Sequence, residues 1–469
     1  MDYGCIMQRT WQVFWVVSAG VFLSSLDLFI VNIAFPDIHA EFAGSSLAGL
    51  SWILNAYAIV FAALLVPFGR LADRAGRRRA FLGGLALFTA ASALCAVAPS
   101  VGTLVAARVL QAAGAALIVP TSLGLLLVEF PAEKRAVAVG LWSAMGAVGA
   151  AAGPPVGGLL VQASWRWVFL VAVPVGLLAI VAGRRVLREV RDAPGAPLPD
   201  LLGAAVLAGS VGAIVLALVE GPTWGWGSAR ELAAFAAGAT GLVLFAARSA
   251  RHRAPVVEPD LLALPGFAVA NLASIVFFAA FGGLILGAAL FLTGVWHYST
   301  LEAGLGLAPG PVMAAVGSVV GGRVVQRAGV RAAAVPGGLI FAASCVWLVL
   351  RVDATPAYAS AYLPGNAVGG FGIGLTIASL SAAIAAAVPP ARFATGTGVF
   401  AMARQIGIAL GVAVLVAIVA HPDAADPAGV FHDAWTAMAG AGAVTAALAA
   451  TLGWGWGGRR APAPVPTGS

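Results

Sequence analysis

Charged residues are scarce in this sequence. Only 10% of the 469 residues are Asp, Glu, Lys or Arg, whereas 61% are hydrophobic. A water-soluble domain carries about 25% charged residues and could not cover so much apolar surface at this length. The composition therefore excludes a water-soluble fold and indicates an integral membrane protein.

Histidine and cysteine are also rare, with five and three residues. Cys5, Cys95 and Cys345 have neither the spacing of a metal site nor that of a disulfide framework. The histidines fall between the apolar blocks, and the sequence contains no phosphate-binding loop and no Ser/His/Asp set within those blocks. We therefore expect no metal, no cofactor and no enzyme site.

The apolar residues fall into blocks of about 20, the length of a helix that crosses a bilayer core. Helices satisfy their own backbone hydrogen bonds in lipid, so the pattern predicts an all-α integral membrane protein with fourteen transmembrane helices. The predicted spans are 12–33, 50–69, 80–99, 103–127, 136–162, 167–183, 201–219, 232–247, 267–294, 303–322, 332–350, 361–387, 395–420 and 434–456.

Basic residues are distributed unevenly between the loops. With the N-terminus in the cytoplasm, 21 of the 26 Lys and Arg residues fall on the inner side, and only Arg166, Arg230 and Arg351 on the outer side. Cytoplasmic loops of membrane proteins carry such an excess, whereas acidic residues contribute little to orientation. We therefore expect a multi-pass protein of the plasma (inner) membrane with both termini cytoplasmic. The net charge of +7 follows from these loops and requires no nucleic-acid partner.

One loop pattern occurs twice. Residues 69–78 read GRLADRAGRR, and residues 322–331 read GRVVQRAGVR. Both copies follow an apolar block and lead into a basic cytoplasmic loop. Parallel repeats of this kind describe two six-helix bundles with a substrate site between them near the midplane. We therefore predict a first bundle at 1–198, a two-helix insert at 199–260 and a second bundle with a short tail at 261–469.

Asp27 is the only carboxylate in the interior of a predicted span. A charge there costs ~2.5–3.5 kcal/mol on insertion scales, so such a residue is a functional candidate. Arg108 lies at a matching depth, because each residue is ~9 Å from the outer end of its predicted helix at 1.5 Å per residue. We predict that the two pair. The alternatives are a structural hydrogen bond for Asp27 and snorkelling of Arg108 to the outer surface.

Two further polar residues lie inside predicted spans. Gln111 follows Arg108 by three residues and shares its helix face. Arg404 lies about eleven residues into the thirteenth span, too deep to reach the surface easily. We expect Arg404 to face a cavity or a carbonyl cluster in the second bundle, with a purely structural role as the alternative.

The loop between the second and third spans places a single acid, Asp73, among five arginines that include Arg74 and Arg77. Asp73 could accept hydrogen bonds from a neighbouring helix N-terminus or from an arginine. The ordered spacing from Gly69 and Gly76 argues against an ordinary basic loop. We therefore predict a conformational latch that favours one state of the protein.

The fifth span carries a stripe of glycines with two prolines beside it. Small residues permit close contact between helices, and prolines remove backbone hydrogen bonds and bend a helix. The stripe predicts tight packing, and it also suggests an interface that rocks between two states. Its residues are Gly146, Gly149, Gly153, Pro154, Pro155 and Gly157.

Four segments resemble motifs of the major facilitator superfamily, and specifically of its fourteen-helix drug:proton antiporters. Residues 26–36 (LDLFIVNIAFP) resemble the first-helix motif, and residues 69–79 the cytoplasmic loop motif. Residues 108–114 (RVLQAAG) resemble the fourth-helix motif linked to proton coupling, and residues 149–158 (GAAAGPPVGG) the fifth-helix motif typical of exporters.

The resemblance implies roles for individual residues. It links Arg108 to proton coupling, and it extends the antiporter helix to Gly158. We expect Asp27 to carry the proton, because no other carboxylate lies inside a predicted span. We also expect Asn32, within the first-helix motif, to line the substrate cavity together with Gln111 and Arg404. The second copy of the loop motif departs from the pattern with Gln326 in place of Asp73.

The implied function is proton-coupled export of small amphipathic molecules, such as drugs or antibiotics, by alternating access. We expect a monomer in the lipid bilayer whose partners are a small-molecule substrate and protons. An uptake or metabolite permease of the same fold is the first alternative, and the fifth-helix motif argues against it. A membrane-embedded sensor or enzyme is the second alternative, and the absence of a catalytic cluster from the sequence argues against it. Some relatives carry a further carboxylate in the tenth or thirteenth span; its absence here disfavours dicationic substrates.

A reporter fusion tests the orientation. We predict that a reporter enzyme active only in the cytoplasm is active when it is fused after Ser469, because only a cytoplasmic C-terminus gives the observed bias of basic residues. The same reporter inserted after Gly44, in the first predicted outer loop, should be silent. A silent C-terminal fusion with confirmed expression would contradict the predicted number or direction of spans.

Overall fold

The computed structural model describes residues 3–131, 134–191, 198–389, 392–420 and 426–452. These residues are almost entirely helical, and no strand occurs among them. The helices are α1 Tyr3–Glu41, α2 Leu47–Ala75, α3 Arg77–Ala96, α4 Val101–Glu129, α5 Arg135–Val161, α6 Trp167–Leu170, α7 Ala172–Val186, α8 Leu201–Trp224, α9 Ala229–Ser249, α10 Pro259–Leu262, α11 Pro265–Gly294, α12 Thr300–Leu307, α13 Pro309–Ala328, α14 Val330–Arg351, α15 Leu363–Ala387, α16 Phe393–Val419 and α17 Gly429–Thr451. A π-helical turn, Tyr358–Tyr362, precedes α15.

Fourteen helical segments in the described part of the chain are long and apolar enough to cross a membrane. The predicted all-α membrane fold and its number of spans are therefore confirmed. Two spans are interrupted: α6 precedes α7 in the sixth, and α12 precedes α13 in the tenth. Pro309 at the start of α13 explains the second interruption, because proline lacks the amide hydrogen that a continuous helix would use.

The predicted ends of the first and last spans are wrong by several residues. α1 does not end near Ile33 but continues through Pro36 to Glu41. Membrane helices tolerate an interior proline because neighbouring groups satisfy the freed carbonyl. Asp37 therefore lies within the first helix. The last span begins at Gly429 rather than at residue 434, and residues 453–456 of its predicted end lie outside the described part of the chain.

The spans form two six-helix bundles that are built alike. In the first bundle α1 packs on α5, and α4 packs on α2 and α3. In the second bundle α11 packs on α16, and α15 packs on α13 and α14. Each pairing recurs eight spans later, so the repeated loop pattern marks a repeated fold. The residue boundaries between the bundles and the insert stay a prediction.

Both bundles use glycine at the corresponding helix contact. A Cβ on Gly149 of α5 would lie 2.6 Å from the carbonyl oxygen of Phe22 on α1. A Cβ on Gly411 of α16 would lie 1.8 Å from the carbonyl oxygen of Ala279 on α11. A larger residue at either position would push the two backbones apart. The other α5 glycines that face α1 are Gly146, Gly153 and Gly157.

The two-helix insert lies against both bundles. α8 packs on α2 and on α16, whereas α9 contacts α8 and is mostly exposed. Asp200 caps α8 and accepts hydrogen bonds from the Gly203 amide and the Arg248 Nε, both at 2.8 Å. Burial by itself raises the pKa of Asp200, but these hydrogen bonds outweigh burial and lower the pKa below its ordinary value. Asp200, which joins the start of α8 to the end of α9, is therefore ionised at neutral pH.

The two bundles touch closely at the end of α5 that the basic residues assign to the outer side. A Cβ on Gly158 would lie 2.7 Å from the carbonyl oxygen of Thr300, and one on Gly304 would lie 2.4 Å from that of Pro154. The Thr300 hydroxyl also donates a hydrogen bond to Asp37 at 2.7 Å. This contact of α5 with α12, which we call the outer contact, closes the outer face between the bundles here.

The outer contact predicts that Gly304→Val opens the outer face, because the larger side chain cannot fit against Pro154. Overpacking of this kind costs about 1–3 kcal/mol, enough to shift the ratio of open to closed molecules about tenfold or more. Asn32→Cys, introduced deeper on α1 in a background without the native cysteines, should react correspondingly faster with a membrane-impermeant maleimide added from outside.

Gly322→Val is the matched control for this experiment. Gly322 lies near the other end of the same span, and a Cβ there would meet no atom within 4 Å. We expect it to leave the labelling rate unchanged. Equal labelling of the Gly304→Val protein and its parent would show that the outer contact does not hold the outer face closed.

Candidate functional site

A buried ion pair joins α1 to α4. The Nη1 atom of Arg108 lies 2.5 Å from the Oδ2 atom of Asp27. Asp27 is 4% exposed and Arg108 is fully buried. The structure thus brings together the two residues that the sequence analysis paired. Their proposed role in proton coupling stays a prediction.

The depth estimate behind that pairing is wrong for Asp27. Because α1 ends at Glu41, Asp27 lies ~21 Å along the helix from that end, whereas Arg108 lies ~10 Å from Val101 at the start of α4. The pair forms nevertheless, because α1 projects farther outward than α4. Matching depth along two helices is a usable guide only when both helices end at the same level.

Gln111 completes the polar network from the next turn of α4. Its Nε2 donates to Asp27 Oδ1 and to the Ser92 hydroxyl of α3, both at 2.8 Å, and its Oε1 accepts from Arg108 at 2.6 Å. Both carboxylate oxygens of Asp27 therefore have a donor. The sequence analysis missed Ser92, although a polar residue in the interior of an apolar span was a usable signal.

Arg108 also contacts α2. Its Nε donates to the carbonyl oxygen of Ile53 at 3.1 Å, and its Cζ lies 4.1 Å from the centre of the Tyr57 ring. A cation above an aromatic face is attracted by the negative charge density of the ring. The guanidinium is thus held by α1, α2 and α4 together. Removal of one partner from a buried charge pair costs about 3–5 kcal/mol.

A small cavity of about 20 Å³ lies between the bundles, next to this network. Its volume is close to the minimum that one water molecule needs and far below that of a drug-binding pocket, about 300–1,000 Å³. The bundles therefore leave little free volume at this point between them. The cavity is lined by Leu28, Phe29, Asn32, Leu54, Arg108, Gly282, Ile285, Ile408 and Val412.

The three predicted cavity residues occupy different places. Asn32 lines the cavity, and its side-chain amide donates to the Leu28 carbonyl at 2.8 Å. Gln111 lies in the buried network with Arg108. Arg404 lies on α16, one turn before the cavity-lining Ile408. Their roles in substrate binding stay predictions.

The loop between α2 and α3, predicted to be cytoplasmic, turns at Gly76, whose φ of 116° favours glycine. A Cβ there would also lie 2.5 Å from the Glu189 carboxylate, which follows α7. Asp73 accepts a hydrogen bond from the Arg77 Nε at 2.7 Å, so its arginine partner lies in the adjoining helix. Arg74, in the last turn of α2, is exposed.

Residues that the sequence analysis did not single out join this loop to the second bundle. Arg70 donates to the Pro255 carbonyl at 2.9 Å and to Glu258 at 2.7 Å. Glu258 also lies 3.6 Å from Arg392, at the start of α16. We call these three charged side chains the cytoplasmic bridge. Next to it on α2, Gly69 lies against Pro120 of α4.

Comparisons with known proteins agree with this architecture. The sequence profile of the Major Facilitator Superfamily matches residues 17–250. The tetracenomycin C resistance and export protein of Streptomyces glaucescens is 35% identical over 91% of this chain and 78% of its own length. The methylenomycin A resistance protein of Streptomyces coelicolor is 35% identical over 85% of this chain and 83% of its own.

A third relative and one solved structure extend the comparison. The multidrug resistance protein Stp of Mycobacterium tuberculosis is 34% identical over 86% of this chain and 74% of its own length. The inward-facing, unoccupied structure of a bacterial homologue of the human lysosomal transporter Spinster superposes with a TM-score of 0.60. That superposition covers 94% of this chain and 95% of the other at 18% identity, which supports the fold alone.

Asp73→Asn tests the predicted latch. The pair with Arg77 contributes only about 0.5 kcal/mol to stability, so insertion and folding should be unchanged. The latch hypothesis assigns Asp73 a larger role than this single pair, through its charge among five arginines, and a coupling of the usual scale, about 1–3 kcal/mol, would slow transport about fivefold or more. The measurement is efflux of a fluorescent amphipathic dye from cells. Gln326→Ala, at the equivalent position of the second copy, is the control. Wild-type efflux by a normally expressed Asp73→Asn protein would refute the latch.

Proposed function

This chain belongs to the Major Facilitator Superfamily, and we propose that it is a proton-coupled antiporter that exports small amphipathic molecules, such as drugs or antibiotics, across the plasma membrane. Its membership and its fourteen apolar helices make it a multi-pass membrane transporter rather than an enzyme. The proton coupling, the direction of transport and the cytoplasmic position of both termini belong to the proposal.

The buried pair of Asp27 and Arg108 is the observation that carries the proposal. A carrier driven by protons needs a group that takes up and releases a proton as access changes from one side to the other. Asp27 is the carboxylate farthest from a span end in the described part of the chain, and its two oxygens contact Arg108 and Gln111. Protonation removes its negative charge and with it the attraction to Arg108.

The proposed cycle couples that loss of attraction to alternating access. A proton that enters from outside neutralises Asp27, the pair with Arg108 weakens, and the substrate leaves outward. The proton then leaves inward, and the pair forms again. The outer contact between α5 and α12 and the contracted cavity support such a cycle, because both change when the bundles rock about the midplane.

Export rather than uptake is supported by two observations. The fifth helix carries the glycine and proline pattern of exporters, and Gly158 and Pro154 lie at the outer contact. Three relatives that each cover at least 85% of this chain are named as export or resistance proteins. We therefore propose that export of toxic small molecules protects the cell that makes this protein.

Asp27→Asn tests the proton coupling. Asn keeps the shape of the side chain and can still accept a hydrogen bond, but it cannot take up a proton at any ordinary pH. In proteoliposomes with an imposed pH gradient, we expect uphill transport of a substrate dye to fall to the background of protein-free liposomes. Exchange of dye down its own gradient should continue, because that process needs no proton.

Asp433→Asn is the matched control, because Asp433 is an exposed carboxylate near the start of α17. Its uphill transport should equal that of the wild type. If the Asp27→Asn protein still concentrates dye at the wild-type rate, Asp27 is structural. The proton would then use an acid at a span end, such as Glu129, or the carrier is not coupled to protons.

A further inference from the structure

Deep inside the spans, one positive charge remains that the ion pair does not neutralise. In the described part of the chain, the three charged side chains farthest from the ends of the spans are Asp27, Arg108 and Arg404. Asp27 and Arg108 neutralise each other at 2.5 Å. Arg404 therefore leaves the region between the bundles with a net positive charge.

The surroundings of Arg404 provide an aromatic face but no counter-ion. Its Cζ lies 5.2 Å from the centre of the Phe278 ring on α11. Its Nε atom is buried and has no hydrogen-bond partner, and no ion pair involves Arg404 among the described residues. A ring attracts a cation but does not neutralise it. Charged side chains within spans are otherwise paired or face a cavity.

Arg404 and Phe278 form one layer of side chains beside the central cavity. Ile408 follows Arg404 by one turn of α16, and Gly282 follows Phe278 by one turn of α11; both line the cavity. One turn spans ~6 Å along a helix axis. The layer thus lies immediately on the cytoplasmic side of the cavity, where a molecule that enters from the cytoplasm passes first. Arg404 is partly exposed, which leaves part of its side chain accessible.

We propose that Arg404 and Phe278 bind the acidic group and the ring of the exported molecule, so that the substrates are aromatic or amphipathic organic anions. This inference rests on the proposed export function and specifies its substrate class. The guanidinium offers a planar fork of donors that matches a carboxylate or a sulfonate edge. The Phe278 ring supplies an apolar face for an aromatic substrate.

Cationic molecules fit this interior poorly. Asp27, the one deeply placed carboxylate among the described residues, is already engaged by Arg108 and Gln111. A cation in the same space would meet the unneutralised charge of Arg404 and find no free acid. The electrostatics of the interior therefore favour anions over cations of similar size.

A pair of matched probes tests this inference by direct binding. Anilinonaphthalene sulfonate is an anion, and phenylnaphthylamine is its uncharged parent. Their affinities are measured by calorimetry on the full chain in lipid nanodiscs, with the signal of protein-free nanodiscs subtracted and with no proton gradient. The wild type should bind the anion about tenfold or more tightly than the parent, because a charged hydrogen bond contributes at that level.

Variants of Arg404 separate its charge from its packing. Arg404→Gln should lose about tenfold in affinity for the anion and leave binding of the uncharged parent unchanged, and Arg404→Lys should recover part of the loss. Arg323→Gln, which removes an exposed arginine on the cytoplasmic side, is the control and should change neither affinity. The thermal unfolding temperature, followed in parallel, shows whether a variant is folded.

Three outcomes would overturn the inference. The first is equal affinity of the wild type for the two probes. The second is unchanged affinity of folded Arg404→Gln for the anion. The third is an equal loss of affinity for both probes in that variant. No outcome depends on proton coupling, because binding is measured without a gradient. Failure here with intact proton-driven export would refute only the anion site. Intact discrimination with no uphill transport would refute only the proposed coupling.

Discussion

The ion pair between Asp27 and Arg108 is the interaction on which the first bundle depends. Two charges inside a bilayer-spanning bundle are stable only when each has partners, and here those partners come from α1, α2, α3 and α4. The network fixes how these four helices sit relative to one another. In the proposed cycle, neutralisation of Asp27 would therefore change several helix contacts at once.

Close backbone contact links that network to the rest of the molecule. Gly149 and its neighbours bring α5 against α1, which carries Asp27, and Gly158 at the outer end of α5 meets α12 of the second bundle. A helix packed through glycine has little side-chain material to absorb a movement, so a shift of α1 is transmitted to α5. The second bundle uses the same device between α16 and α11, at Gly411.

Charges at the end that the basic residues assign to the cytoplasm make a second connection between the bundles. The cytoplasmic bridge of Arg70, Glu258 and Arg392 joins the end of α2 to the start of α16 through the segment that follows the insert. These side chains are partly exposed, so each contact is weak and exchanges easily. The close packing of α5 on α12 and these weak ionic contacts fit the proposed cycle of alternating access.

Several properties of this protein were determined by the sequence alone. The number of spans and the repeat of the two bundles follow from local patterns, namely apolar length and a recurring loop motif. The basic loops predict an orientation, and that orientation stays a prediction. The three interior charges, Asp27, Arg108 and Arg404, could also be identified from the sequence, because each stands in a long apolar block. The C-terminal end of α1 could not be predicted from the sequence, because Pro36 ends a helix only where no neighbouring group compensates for it.

Only the tertiary structure decided which distant residues meet. Asp27 and Arg108 are 81 positions apart, and Arg70 and Glu258 are 188 apart. Such contacts depend on the crossing angles and relative heights of helices, which cannot be read from a local pattern. The depth predicted for Asp27 was wrong for this reason, because α1 extends to Glu41. The same reason explains Ser92 and Glu258, which gained partners that sequence reasoning missed, and Arg404, which the fold left without an ion-pair partner among the described residues.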